Sequence, residues 1–113
     1  MPTLGWHWMA RASQCPTPTL EDPERIRDVL LAVVLGLGLH AVSQPTVRRT
    51  DSGVAGVVLL AESHLAIHTV ATAGDAFVDL FSCVPFDHTA AAALILEALA
   101  AEGIDGQLVE RGT

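Results

Sequence analysis

The sequence predicts an α+β domain: one antiparallel sheet with two helices packed on a single face, in the order β-α-β-β-β-α-β. Three observations predict it. Segments 54–61, 65–70 and 76–83 are aliphatic stretches separated by turns of a few residues, which suits antiparallel pairing. Two longer stretches, 23–37 and 88–102, carry helix start signals and apolar side chains at helical spacing. The chain has 113 residues, 50% of them apolar, enough for one core and for a single domain spanning 1–113. Two helices cover only one sheet face, so a two-layer sandwich is expected, its other face paired with a second protomer.

Residues 4–12 hold two Trp and a His and suggest an edge strand of poor alternation. Residues 13–23, with several Pro and Thr, read as a loop. A helix then starts at Asp22, whose carboxylate can cap, with Pro23 at the first helical position and Glu24 in the first turn. Ile26, Val29, Leu30, Val33 and Leu37 give it one buried stripe, and Gly36 and Gly38 end it. Residues 39–47 are a strand candidate interrupted by Pro45, and 48–53 form a polar turn. The three central strands follow, with Gly74 in the turn between the last two and Pro85 after them. Asp87 can cap the second helix, expected to run from His88 to Glu102 with Gly103 as its C-cap, and Gln107 to Arg111 makes a last short strand.

Three Phe, two Trp and no Tyr make the core aliphatic. Thirteen acids against six bases give a net charge of −7, which argues against nucleic acid and against anionic membranes. All six bases are Arg. Without lysine there is no lysine Schiff base, which excludes a pyridoxal-phosphate enzyme, and no phosphate-binding loop of the GxxxxGK type. Cys15 and Cys83 stand 68 residues apart with no CxxC spacing, so neither a thiol-rich zinc site nor a dithiol redox pair is expected. The start of the chain shows no charged leader followed by an apolar stretch, and the longest apolar stretch, 29–39, falls short of a membrane span. These features lead to the expectation of a cytoplasmic protein with two free thiols and no metal.

The central strands concentrate Glu62, Ser63, His64, His68 and Cys83. Each has an ordinary reading as well as a chemical one. Glu62-Ser63 suits a polar hairpin turn. His64 and His68 share a strand face about 13 Å apart, too far for one metal ion. Cys83 suits a small buried hydrophobe. A Ser-His-acid hydrolase is conceivable, but no GxSxG elbow is present. From the residues alone the reading is a nucleophile-rich site on a sheet.

The run from Gly53 to Thr69, GVAGVVLLAESHLAIHT, resembles the core motif of the prokaryotic S-adenosylmethionine decarboxylases, close to GVSGVV followed by ESHLxIHT. Val78 to Cys83 is similar to their strand ending in DxFxC, and Gly5-x-His7 and Cys15 match their GxH and a later Cys. The resemblance spans about residues 4–111. It implies a self-cleaving proenzyme with a pyruvoyl cofactor. Ser63 attacks the carbonyl of Glu62, elimination and hydrolysis split the chain into 1–62 and 63–113, and Ser63 becomes the pyruvoyl group. That keto group takes the α-amine of the substrate, a task otherwise given to a lysine-held cofactor, and accepts electrons as carbon dioxide leaves. The resemblance further implies that His68 assists cleavage, that Cys83 reprotonates the product carbon, and that protomers pair with active sites at their interface.

Several positions depart from the family pattern. Ala55 replaces a serine that helps processing. In Val47-Arg48-Arg49, Arg49 replaces an aromatic residue that stacks on adenine. Residues 70–74 replace a turn whose acid helps hold the ribose, and Arg11 replaces an acid near the first strand. Three functions are therefore weighed. The first is decarboxylation of S-adenosylmethionine for spermidine synthesis. The second is a pyruvoyl decarboxylase of ornithine or arginine. The third is an uncleaved, non-catalytic partner subunit.

Overall fold

The computed structural model describes residues 2–112. Strand β1 (Gly5–Ser13) leads through the one-turn helix α1 (Thr17–Leu20) into α2 (Pro23–Gly36). Strands β2 (Thr46–Arg49), β3 (Val54–Leu60), β4 (Ser63–Val70) and β5 (Asp75–Ser82) follow, with a 3-10 turn at Ala71–Ala73, and then α3 (His88–Leu99) and β6 (Gly103–Arg111). The six strands form one sheet in the order β2-β3-β4-β5-β1-β6, every neighbouring pair antiparallel.

The α+β class and the single helix-covered face agree with expectation. Alternate residues of the central strands, among them Trp8, Ala10, Val58, Leu65, Ile67, Val78 and Leu80, are buried beneath the helices. They meet Ile26, Leu30 and Val33 of α2 and Ala91, Ile95 and Leu99 of α3 in one cluster. Each such aliphatic side chain removed from water contributes about 1.5–3 kcal/mol. The core is aliphatic apart from Trp8 and Cys15.

Both helix starts follow the capping residues. Asp22 accepts from the N–H of Glu24 at 3.0 Å, and Asp87 from the N–H of Ala90 at 3.0 Å. The end of α2 is a Schellman motif: Gly38, at φ 67°, donates to Leu35 at 3.1 Å, and Leu39 donates to Val34 at 2.9 Å.

Other boundaries differ from expectation. Residues 4–12 belong to an interior strand, because β1 is paired on both sides, by β5 and β6. The 13–23 loop contains α1. Residues 39–47 form no continuous strand; the edge strand β2 begins at Thr46 and takes in Arg48 and Arg49, so the sheet has six strands rather than five. Helix α3 ends at Leu99, not Glu102, because Ala100 adopts the left-handed conformation at φ 51°. Gly103 is therefore no cap but the first residue of β6, which is longer than the 107–111 segment because β1 pairs with it along its whole length.

Thr69, inside the ESHLAIHT run, is fully buried. Its hydroxyl donates to the carbonyl of Leu20 at 2.7 Å and accepts from the N–H of Val54 at 2.8 Å, fastening α1 to the sheet. No helix among the described residues is long and apolar enough to cross a membrane.

Candidate active site

Strand β3 turns into β4 through Ala61 and Glu62, with Leu60 and Ser63 paired across the turn. Glu62 sits at φ 60°, in the left-handed region, which costs a residue with a Cβ about 1–2 kcal/mol. Strained backbone thus immediately precedes the Glu62–Ser63 peptide bond. The hydroxyl of Ser63 donates to the carbonyl of Ala61 at 3.1 Å. The carbonyl oxygen of Glu62 accepts from the N–H of Cys83 at 3.3 Å. Register explains that contact: Ser63 pairs with Ser82 across β4 and β5, which sets Cys83 beside the hairpin. The fold therefore brings Glu62, Ser63 and Cys83 together.

Both cysteines are free thiols, but their surroundings differ. Cys83 is exposed, whereas Cys15 is buried. Burial first, and the Asp75 carboxylate second, push the Cys15 thiol up. Cys83 is the accessible one.

His68 does not join this group within one chain. It lies five residues past Ser63 on the same strand, about 16 Å along it. Its side chain is exposed on the sheet face opposite the helices, between Ala55 of β3 and Phe77 of β5. His64 shares that open face four residues away, paired with Leu59. Among the described residues no three His, Cys, Asp or Glu side chains are grouped to hold a metal ion.

The positions that depart from the family pattern fall in three places. Arg48, paired with Ala55, lines a cavity of about 350 Å³ around His68 together with Phe77 and Asp79. Arg49 pairs with Val54 and lies on the other side of the strand. It borders a separate cleft of about 370 Å³ with Thr72, Glu21 and Asp51. The replaced aromatic and the replaced acid are thus neighbours. Arg11 faces Asp75 at 3.0 Å.

Sequence reasoning assigned no role to His7, Asp79, Phe81 or Arg111. His7 Nε2 stands 2.9 Å from Asp79 Oδ1, and its ring meets Phe81 edge-on. The signal lay in the GxH and DxFxC motifs, but their meeting depends on β1 lying against β5.

The sequence profile described as S-adenosylmethionine decarboxylase matches residues 6–112. The chain is 31% identical over 83 residues to the S-adenosylmethionine decarboxylase proenzyme of Pyrococcus furiosus, covering 74% of this chain and 60% of that protein. To the proenzyme of Anoxybacillus flavithermus it is 34% identical over 102 residues, covering 90% of this chain and 82% of that one. The match therefore spans less than two thirds of the Pyrococcus protein. The crystal structure of the adenosylmethionine decarboxylase from Aquifex aeolicus superposes with a TM-score of 0.86 at 32% identity, covering 100% of this chain and 94% of that one. With the profile spanning nearly its whole length and the fold shared, this chain belongs to the S-adenosylmethionine decarboxylase family.

Proposed function

We propose that this chain is a self-processing, pyruvoyl-dependent decarboxylase of S-adenosylmethionine, acting in the cytoplasm and supplying aminopropyl donor for spermidine synthesis. The observation that carries this reading is the hairpin at Glu62–Ser63, where a left-handed residue, a serine hydroxyl within the turn and a backbone donor on the carbonyl oxygen coincide.

Maturation follows from these parts. The Ser63 hydroxyl oxygen adds to the carbonyl carbon of Glu62. Charge develops on the Glu62 oxygen, where the Cys83 N–H stabilises it. The amide C–N bond breaks as the ester forms, and release of the left-handed backbone favours that step. A base then removes the α-proton of Ser63, the Glu62 carboxylate leaves, and hydrolysis of the resulting enamine expels ammonia. This yields 1–62 and a 63–113 fragment beginning with pyruvoyl. The residues fit that group, since it is made from Ser63 at the turn and lies beside the exposed Cys83.

The pyruvoyl group supplies the electron sink for loss of the carboxylate. Cys83 holds on Sγ the proton destined for the product carbon. His68 serves as the base in maturation, and its distance from Ser63 along β4 requires that it come from a second copy of the chain. The open sheet face supports such pairing: Val57, Leu59 and Phe77 there are 39%, 55% and 43% exposed.

A second reading has a specific observation behind it. The cleft where an aromatic and an acid would hold the nucleoside presents Arg49, Glu21, Asp51 and Thr72 instead. Charged groups of this kind suit ornithine or arginine better than adenosine. A third reading, an uncleaved partner subunit, rests on Ala55, which leaves no hydroxyl opposite His68.

Release of labelled carbon dioxide from S-adenosylmethionine, ornithine, arginine and lysine tests these readings. The expected result is release from S-adenosylmethionine that Ser63→Ala abolishes. Release from ornithine or arginine alone would establish the second reading, and none from any substrate would exclude both enzymes.

A further inference from the structure

Phe81 lies two residues before Cys83, and its ring leans across Gly5. A Cβ at Gly5 would stand 2.6 Å from two ring atoms, so the glycine makes the space. On the far side is Arg111, paired with Gly5 across β1 and β6. Its guanidinium carbon is 5.4 Å from the Phe81 ring centroid. His64 stacks on the same ring with centroids 5.8 Å apart, and His7 meets it edge-on at 6.1 Å. The root of Arg111 is fixed as well, since its carbonyl accepts from the N–H of Leu4 at 2.8 Å.

Phe81, Cys83 and Arg111 line one cavity of about 350 Å³. The ion pairs among the described residues are His7–Asp79 and Arg11–Asp75, and Arg111 takes part in neither. A guanidinium held on an aromatic ring, with no carboxylate partner among the described residues, is open to a carboxylate from solution. Its planar fork suits that partner.

We propose that Arg111 binds the α-carboxylate of the substrate, the group that leaves as carbon dioxide, next to the Cys83 thiol. The proposal rests on the decarboxylase reading but not on the choice of side chain, because every amino acid substrate carries this carboxylate. The guanidinium holds the carboxylate in the bound substrate and still holds it while the C–C bond is breaking, so its loss weakens both states alike and appears in KM rather than kcat.

The product amine lacks the carboxylate, which gives the test. Arg111→Gln is first checked by mass for cleavage between Glu62 and Ser63. Its KM for the amino acid is expected to rise about tenfold with kcat within about twofold. Calorimetric affinity for the decarboxylated amine should stay within about twofold, and Arg111→Lys, which keeps the charge, should raise KM less. Amine affinity falling in step with KM would show that Arg111 only props the Phe81 ring and would overturn the proposal. An unchanged KM, or a variant that stays uncut, would overturn it too. In those cases the decarboxylase reading stands. A parent chain that releases no carbon dioxide from any amino acid removes that reading and the proposal together.

Discussion

At Glu62 the backbone adopts a conformation that glycine holds without cost and glutamate does not. The left-handed turn places the Glu62 carbonyl on the Cys83 N–H, while the Ser63 hydroxyl donates to the carbonyl of Ala61. If this strain is released as the peptide bond becomes an ester, Glu62→Gly should process more slowly. The left-handed penalty of about 1–2 kcal/mol corresponds to a slowing of about five- to thirtyfold. A mass time course on freshly synthesised chain checks this. A rate equal to the parent's would mean that the strain survives into the transition state. Glu62, Ser63, His68 and Cys83 were legible as a motif in the linear sequence. Arg111 was not, because its meeting with Phe81 requires β1 to lie between β5 and β6 and Gly5 to lack a side chain.

The ends of the helices show which local signals carry information at the scale of an element. Asp22 and Asp87 mark helix starts through side-chain bonds to backbone N–H groups, chemistry written in the residue itself. The end of α3 carries no such mark. Ala100 takes the left-handed position, while the glycine that looked like the cap lies at the start of β6. Ala100→Gly should relieve that conformation and stabilise the fold by about 0.5–1 kcal/mol after the entropy cost of glycine is subtracted. Thermal unfolding should then shift upward by a few degrees. A lower midpoint would mean that packing of the Ala100 methyl outweighs the backbone. The strand expected over 39–47 overlaps β2 only at Thr46 and Val47, because residues 39–45 hold the end of β3 through a few bonds only. Examples are Val42 to the carbonyl of Leu59 at 3.0 Å and Ala61 to the carbonyl of His40 at 2.9 Å.

The whole molecule leaves one broad face of its sheet without a covering layer, and that face carries His68 and the cavity around it. The strand alternation that buries Leu65, Ile67 and Thr69 under the helices turns His64 and His68 outward. Two helices for one sheet made this asymmetry legible in the sequence. The separation of His68 from Ser63 follows from the same extended spacing that sets His64 and His68 about 13 Å apart, but the role carried over to His68 from the motif took no account of it. On the proposed reading, in which His68 acts on Ser63, the two parts of the site meet between copies. The most direct measurement is the intact mass of a His68→Ala chain produced together with a Ser63→Ala chain, beside each alone and the parent. The parent should be split between Glu62 and Ser63, each variant alone should stay whole, and in the mixture the His68→Ala chain should be cut. A His68→Ala chain that stays whole in the mixture while the parent is cut would contradict the shared site, and a parent that stays whole after prolonged incubation would contradict self-processing itself.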